Sequence, residues 1–117
     1  MSTKVQVFHN PNCTKCRLTM ELLSDKGVET SVIEYLNTPP TTEELTKILD
    51  LLKLQPRDLM RKHEAPYQEI GLDNPELSRE QLLTAMIENP ILIERPIIIN
   101  GDKAIIGRPP EKVLDIL

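Results

Sequence analysis

Aromatic residues are nearly missing from this 117-residue chain, which has one Phe, two Tyr and no Trp. Its core is therefore expected to be packed from Leu, Ile, Val and Met rather than from rings. Cysteine is scarce as well: Cys13 and Cys16 are too few for an all-thiolate zinc site, and neither His9 nor His63 stands at zinc-finger spacing from them. No metal centre is expected. The chain has no run near the ~18 consecutive apolar residues of a membrane span, and its N-terminus lacks a charged-then-apolar signal pattern. These absences predict a cytoplasmic protein with no membrane partner. Positive charge is not in excess either, with 14 basic against 18 acidic residues and a formal net charge of -4, which argues against nucleic acid as a partner. The length fits a single domain, residues 1–117, and a monomer is expected.

What the chain does have is a chemically loaded stretch near its start, His9-Asn10-Pro11-Asn12-Cys13-Thr14-Lys15-Cys16-Arg17. It follows the apolar residues Val5, Val7 and Phe8 and precedes a segment carrying Leu18, Leu22 and Leu23, an order that reads as strand, sharp turn, helix. Thiols are kept reduced in the cytoplasm, so a close pair there points to catalysis or redox chemistry before a structural disulfide. At a helix N-terminus, oriented N–H groups and the macrodipole favour the thiolate, and Arg17 adds a positive charge nearby. Cys13 is thus the candidate nucleophile.

Further along, Lys4 to Phe8 is read as the first strand, Cys13 to Lys26 as the first helix with Gly27 in a left-handed position after it, and Ser31 to Tyr35 as a parallel second strand. Thr41 with Glu44 forms a capping box for a helix whose apolar stripe is Leu45, Ile48, Leu49 and Leu52. Pro56 opens a short helix with Leu59 and Met60. The turn formers Pro66, Gly71, Asn74 and Pro75 mark Glu64 to Leu77 as a long surface loop. Ser78 and Gln81 cap another helix, lined by Leu82, Leu83, Met86 and Ile87 and ended by Asn89-Pro90. Ile97 to Ile99, Asn100-Gly101 and Ala104 to Ile106 predict an antiparallel hairpin with a type I′ turn at Asn-Gly. A last helix after Pro109-Pro110 should face Val113, Leu114 and Leu117 inward. A helical insertion thus separates a βαβ half from a ββα half. This is an α/β, thioredoxin-like three-layer sandwich with a mixed sheet, and a C-x-x-C pair after the first strand suits it.

These motifs, taken together, resemble the glutaredoxin-linked arsenate reductases of the ArsC family. His9-Asn10-Pro11-x-Cys13 is similar to the nucleophile loop, Leu59-Met60-Arg61-Lys62 to the segment after the inserted helices, and Asn89 to Ile97 to the segment before the hairpin. Gly107-Arg108-Pro109 and the ending Val113 to Leu117 complete an end-to-end likeness. The resemblance implies Cys13 as nucleophile, Arg61, Arg95 and Arg108 as oxyanion ligands, and His9 as a modulator of the Cys13 thiolate. It also implies a cis bond at Pro96, with glutathione as co-substrate, glutaredoxin as recycling partner and no tightly bound cofactor. Planar guanidinium groups suit a tetrahedral oxyanion because they bind its oxygens bidentately.

Cys16 departs from the family pattern, where Ser is more usual. A second thiol three residues on can resolve Cys13 through a disulfide, which leaves the recycling partner open between glutaredoxin and thioredoxin. Duller readings stand beside these. Arg61 at a helix end, Arg95 beside Glu94 and Arg108 in a loop could all be surface charges, and Cys16 a small buried residue. Two other functions also fit a C-x-x-C in this turn: a redox-sensing regulator that binds RNA polymerase, and a general thiol-disulfide oxidoreductase.

Overall fold

The computed structural model describes residues 4–117, which form two compact units. One unit comprises the residues up to Thr38 together with Arg95–Leu117, and the other is the insertion, Pro39–Glu94. In the first, β1 (Val5–His9), α1 (Thr14–Asp25) and β2 (Thr30–Glu34) make the expected βαβ unit, and β3 (Ile97–Asn100) with β4 (Lys103–Ile106) makes the hairpin. The sheet order is β2-β1-β3-β4, with β1 parallel to β2 and antiparallel to β3. The sheet is therefore mixed.

The pleat explains which residues enter the core. Val5 and Val7 of β1 share a face and join Ile98, Leu23 of α1, and Val113 and Ile116 near the C-terminus in one buried cluster. Phe8, Ile97 and Ile99 on the alternate face are buried too. Gly27 takes the left-handed conformation expected after α1, with φ +67°. Gly107 is required for a different reason. A Cβ there would lie 2.9 Å from both the Pro96 ring and Thr19 Oγ1 on α1, so the chain leaving β4 has room for a side chain only if a neighbour shifts.

Two expectations in this unit need correction. The hairpin pairs Asn100 with Lys103, so the turn residues are Gly101 and Asp102 rather than Asn100 and Gly101. Gly101 has φ +64° and Asp102 does not share the positive sign, which is the II′ pattern with Gly at the first central position. Asn100 instead spends its side chain donating to the Ile116 carbonyl at 2.6 Å, tying the hairpin to the C-terminal segment. That segment, Pro110–Ile116, is a 3₁₀ helix. With three residues per turn, i and i+3 eclipse, so Val113 and Ile116 point inward while Leu114 and Leu117 are exposed.

In the insertion, α2 (Thr42–Leu52) and α4 (Arg79–Glu88) begin with the capping boxes expected at Thr41/Glu44 and Ser78/Gln81. Leu45, Ile48 and Leu49 of α2 are buried, as are Leu82, Leu83 and Met86 of α4. The stretch expected to be a loop contains a helix, α3 (Ala65–Ile70). Pro66 starts it rather than breaking it. Gly71, left-handed at φ +76°, ends it, and Leu72 N–H reaches back to the Tyr67 carbonyl and buries its side chain. Pro56–Leu59 and Pro90–Leu92 are single 3₁₀ turns, and a lone antiparallel bridge joins Met60 to Ile93. Arg61 is fixed just after that bridge, its N–H donating to the Leu92 carbonyl at 2.6 Å.

Candidate active site

The parallel strands β1 and β2 end side by side, His9 opposite Glu34, and the chain leaving β1 makes the turn that presents Cys13. Asn10 builds the turn. Its side-chain oxygen accepts from Asn12 N–H at 3.0 Å and its carbonyl accepts from Cys13 N–H at 3.0 Å. Cys13 then occupies the N-cap of α1 in an extended conformation, and Cys16 falls on the first helical turn, fully buried. Both thiols are free. The start of α1 expected at Cys13 is thus displaced by one residue, which places the sulfur beside the helix's unpaired N–H groups.

Burial works against ionisation of Cys13, but the Cys16 N–H, the Arg95 guanidinium, the Cys16 thiol and the Lys15 N–H together outweigh it. They lower the Cys13 pKa from 9.0 to about 7. Cys16 is driven the other way, to about 11, chiefly by burial, against which the Asn10 N–H works, while the neighbouring Cys13 pushes it further up. The pair is therefore divided at neutral pH. About half of Cys13 is thiolate there, and Cys16 is a thiol that donates to it.

Two arginines from the far end of the chain meet at Cys13. Arg108 donates from Nε to the Arg95 carbonyl at 2.7 Å and directs Nη2 toward Cys13 Sγ at 3.9 Å. Arg95 reaches the Cys13 sulfur and the Tyr35 hydroxyl. Burial would lower its pKa, but Tyr35 and Cys13 more than offset that and raise it. Its Nε and Nη1 are buried without a hydrogen-bond partner among the described residues. The Arg95–Pro96 and Arg108–Pro109 peptide bonds are both cis, and Gly107 N–H donates to the Pro96 carbonyl at 2.9 Å. The positive charge beside the sulfur thus comes from Arg95 and Arg108, whereas Arg17 is exposed on α1.

His9 ends β1 with Nδ1 buried and unpartnered among the described residues. Burial lowers its pKa below the ordinary imidazole value, with Glu34 opposing. Arg61, in the insertion, has a side chain only 13% exposed. Its Nη2 lies in hydrogen-bond contact with His63 Nε2 at 3.1 Å. Glu64 Oε2 lies 3.4 Å from Arg61 Nε without hydrogen-bond geometry, and Arg61 Nε and Nη1 are otherwise buried and unpartnered among the described residues. Sequence reasoning missed Tyr35 and His63. Tyr35 had one available signal, being one of two tyrosines in a ring-poor chain and next to a strand end that the βαβ unit brings to the cysteine turn. His63 stands two residues from Arg61, but nothing local marks that spacing as a contact. No group of three or more His, Cys, Asp or Glu side chains among the described residues is arranged to hold a metal ion.

Comparison with known proteins gives the family. The ArsC family model matches residues 8–116. The chain belongs to the ArsC family. Among its relatives, the arsenate reductase of Haemophilus influenzae is 46% identical, with 97% of this chain and 98% of that protein aligned. The uncharacterized protein YfgD of Escherichia coli (strain K12) is also 46% identical, over 100% of this chain and 99% of its own. A solved structure of the arsenate reductase from Vibrio cholerae superposes with a TM-score of 0.96 at 44% identity, covering 100% of both chains. The fold of this ArsC-family protein is accordingly thioredoxin-like, with the family's helical insertion between β2 and β3. No helix of the described residues is long and apolar enough to cross a membrane.

Proposed function

We propose that this ArsC-family protein is an arsenate reductase that works through a thiolate at Cys13, with Arg61, Arg95 and Arg108 as the oxyanion ligands. The observation that carries the reading is the pairing of a thiol of pKa about 7 with the Arg95 guanidinium, which has two buried N–H-bearing atoms left unpartnered by the described residues. Buried donors of this kind are costly unless a ligand supplies acceptors, and a tetrahedral oxyanion supplies several. Arg61 is proposed as the third guanidinium on the family resemblance, and its buried Nη1 makes no hydrogen bond to the described residues.

In this reading the Cys13 sulfur attacks arsenic(V). An S–As bond forms, an As–O bond breaks, and the oxygen leaves as water after taking up protons. Arg95 and Arg108 offset the negative charge gathered on the remaining oxygens. A second thiol then attacks the Cys13 sulfur. The S–S bond forms as the S–As bond breaks, and its electron pair stays on arsenic, giving arsenite. Glutathione as that second thiol leaves a mixed disulfide for glutaredoxin to reduce. Cys16 in that role leaves a Cys13–Cys16 disulfide, a form that thioredoxin can also reduce. Cys16 is adjacent but fully protonated at neutral pH, so it must lose its proton to attack, and relief from the Cys13 thiolate once that sulfur carries arsenic lowers its pKa. His9, at the end of β1 just before the cysteine turn, is proposed to modulate the Cys13 thiolate. The protein is proposed to act as a cytoplasmic monomer.

The test is arsenate-dependent thiol oxidation by purified wild type, Cys13→Ser and Cys16→Ser, with glutathione and glutaredoxin or with thioredoxin. Cys13→Ser should be inactive with both. Absence of arsenate-dependent turnover by wild type in both systems refutes the reductase. Full activity of Cys16→Ser with glutathione and glutaredoxin assigns the resolving step to glutathione.

A further inference from the structure

We propose that Tyr35 is a positioning residue that holds the Arg95 guanidinium against Cys13. Tyr35 follows Glu34, which pairs with His9, so it leaves β2 at the sheet edge from which the Cys13 turn departs. Its side chain is completely buried, and a buried tyrosine hydroxyl needs a polar partner. The Arg95 guanidinium is such a partner, and the same guanidinium reaches the Cys13 sulfur.

The need for an anchor follows from the rest of Arg95. Its backbone carbonyl is held by Arg108 Nε at 2.7 Å, but that bond fixes only the root of a long side chain. Nε and Nη1 make no hydrogen bond to the described residues. Among the described residues, the Tyr35 hydroxyl and the Cys13 sulfur hold the charged end against rotating away into water, and arginine has much rotamer entropy to regain by doing so. The anchor's chemistry matters as well. A carboxylate in place of the phenol would cancel the charge that depresses the Cys13 pKa and would compete with an incoming anion. A neutral hydroxyl on a rigid, packed ring accepts one hydrogen bond and leaves the charge in place. Tyr35 thereby acts on Cys13 and on the oxyanion through Arg95.

The inference rests on the assignment of Cys13 and Arg95 proposed above, and its test does not depend on arsenate. Tyr35→Phe keeps the ring and removes the oxygen. Iodoacetamide alkylation of Cys13 is measured against pH in a Cys16→Ala background, with and without Tyr35→Phe. The midpoint should rise by about half a pH unit or more. In an Arg95→Gln background Tyr35→Phe should move it no further, because the anchored group is gone. With arsenate, KM should rise roughly fivefold to tenfold with a smaller change in kcat. An unmoved midpoint overturns the proposal, and so does an equal shift in the Arg95→Gln background. A shifted midpoint in a protein that never turns over arsenate sustains Tyr35 and refutes the reductase. Should Tyr35→Phe fail to fold, 13Cζ-tyrosine NMR of the otherwise unaltered chain decides, since Tyr67 is the only other tyrosine. The Tyr35 Cζ signal should move on Arg95→Gln, and an unmoved signal overturns the proposal.

Discussion

Alkylation of Cys13 by iodoacetamide should follow a pH profile set by the groups around its sulfur. With a pKa of about 7 the thiol is half ionised at pH 7, whereas at the ordinary 9.0 about 1% is thiolate, a ~50-fold difference in reactive form. A more acidic thiol is a weaker nucleophile, and a two-unit drop costs roughly tenfold in intrinsic rate. At pH 7 Cys13 should therefore react about fivefold faster than an unperturbed cysteine. It should reach a plateau above about pH 8 that lies roughly tenfold below the unperturbed one, and the two curves should cross near pH 8. Cys16 is buried with a pKa of about 11 and does not confuse the readout. The Cys16→Ala variant removes a donor to the thiolate, so its midpoint should move upward by a few tenths of a unit to about one unit. A wild-type midpoint near 9 would refute the electrostatic account of the site. A midpoint that falls in Cys16→Ala would show that the second thiol does not donate to the first.

Three further outcomes can be checked on stability and activity. Gly107→Ala should lower Tm and arsenate turnover together, because the new methyl lies 2.9 Å from the Pro96 ring and from Thr19 Oγ1 and must displace the segment carrying Arg95 and Arg108; thermal denaturation and the coupled assay measure both. Lys53, a left-handed C-cap of α2 with φ 59°, should tolerate glycine with a gain of about 1 kcal/mol, seen as a Tm increase of a few degrees with turnover unchanged. The folded chain holds fewer protons at Cys13 than the unfolded chain between pH 7 and 9. That thiolate therefore contributes stability fully present above pH 9 and lost as pH falls through 7. Cys16, raised to about 11, contributes stability present below pH 9 and lost as pH rises through 11, so urea midpoints of the reduced protein, relative to a Cys13→Ser/Cys16→Ala double variant, should peak near pH 9.

Features encoded over a few residues were legible in the sequence alone. The capping boxes at Thr41/Glu44 and Ser78/Gln81, Gly27 after α1, and the order of β1, α1 and β2 each depend on contacts within one turn or one crossover. Signals with two meanings misled. Pro66 and Gly71 punctuate a helix as readily as a loop, and Asn100-Gly101 suits a type I′ turn until the register with Lys103 moves the turn by one residue. The C-terminal residues obey a period of three instead of 3.6, which no local pattern announced and which exchanged Leu114 and Leu117 for Ile116. At the site, Cys13 could be read from its place before a helix, and the arginines came from family resemblance. Tyr35 was invisible as a partner because its contact joins position 35 to position 95, a pairing fixed only when β2 and the approach to β3 flank the same end of β1.

The β3–β4 hairpin carries a practical consequence for anyone wishing to watch this protein work. Its two ends differ in what they can tolerate. At one, Ile97 pairs with Ile106 and the flanking Arg95 and Arg108 are locked to each other and to the cysteine turn. At the other, Gly101 and Asp102 are exposed, one hairpin length away from the sulfur. A fluorophore, an affinity handle or a surface tether grafted between Gly101 and Asp102, with Asn100 left to hold Ile116, would report on or immobilise the protein while leaving its reactive end free to meet a second thiol.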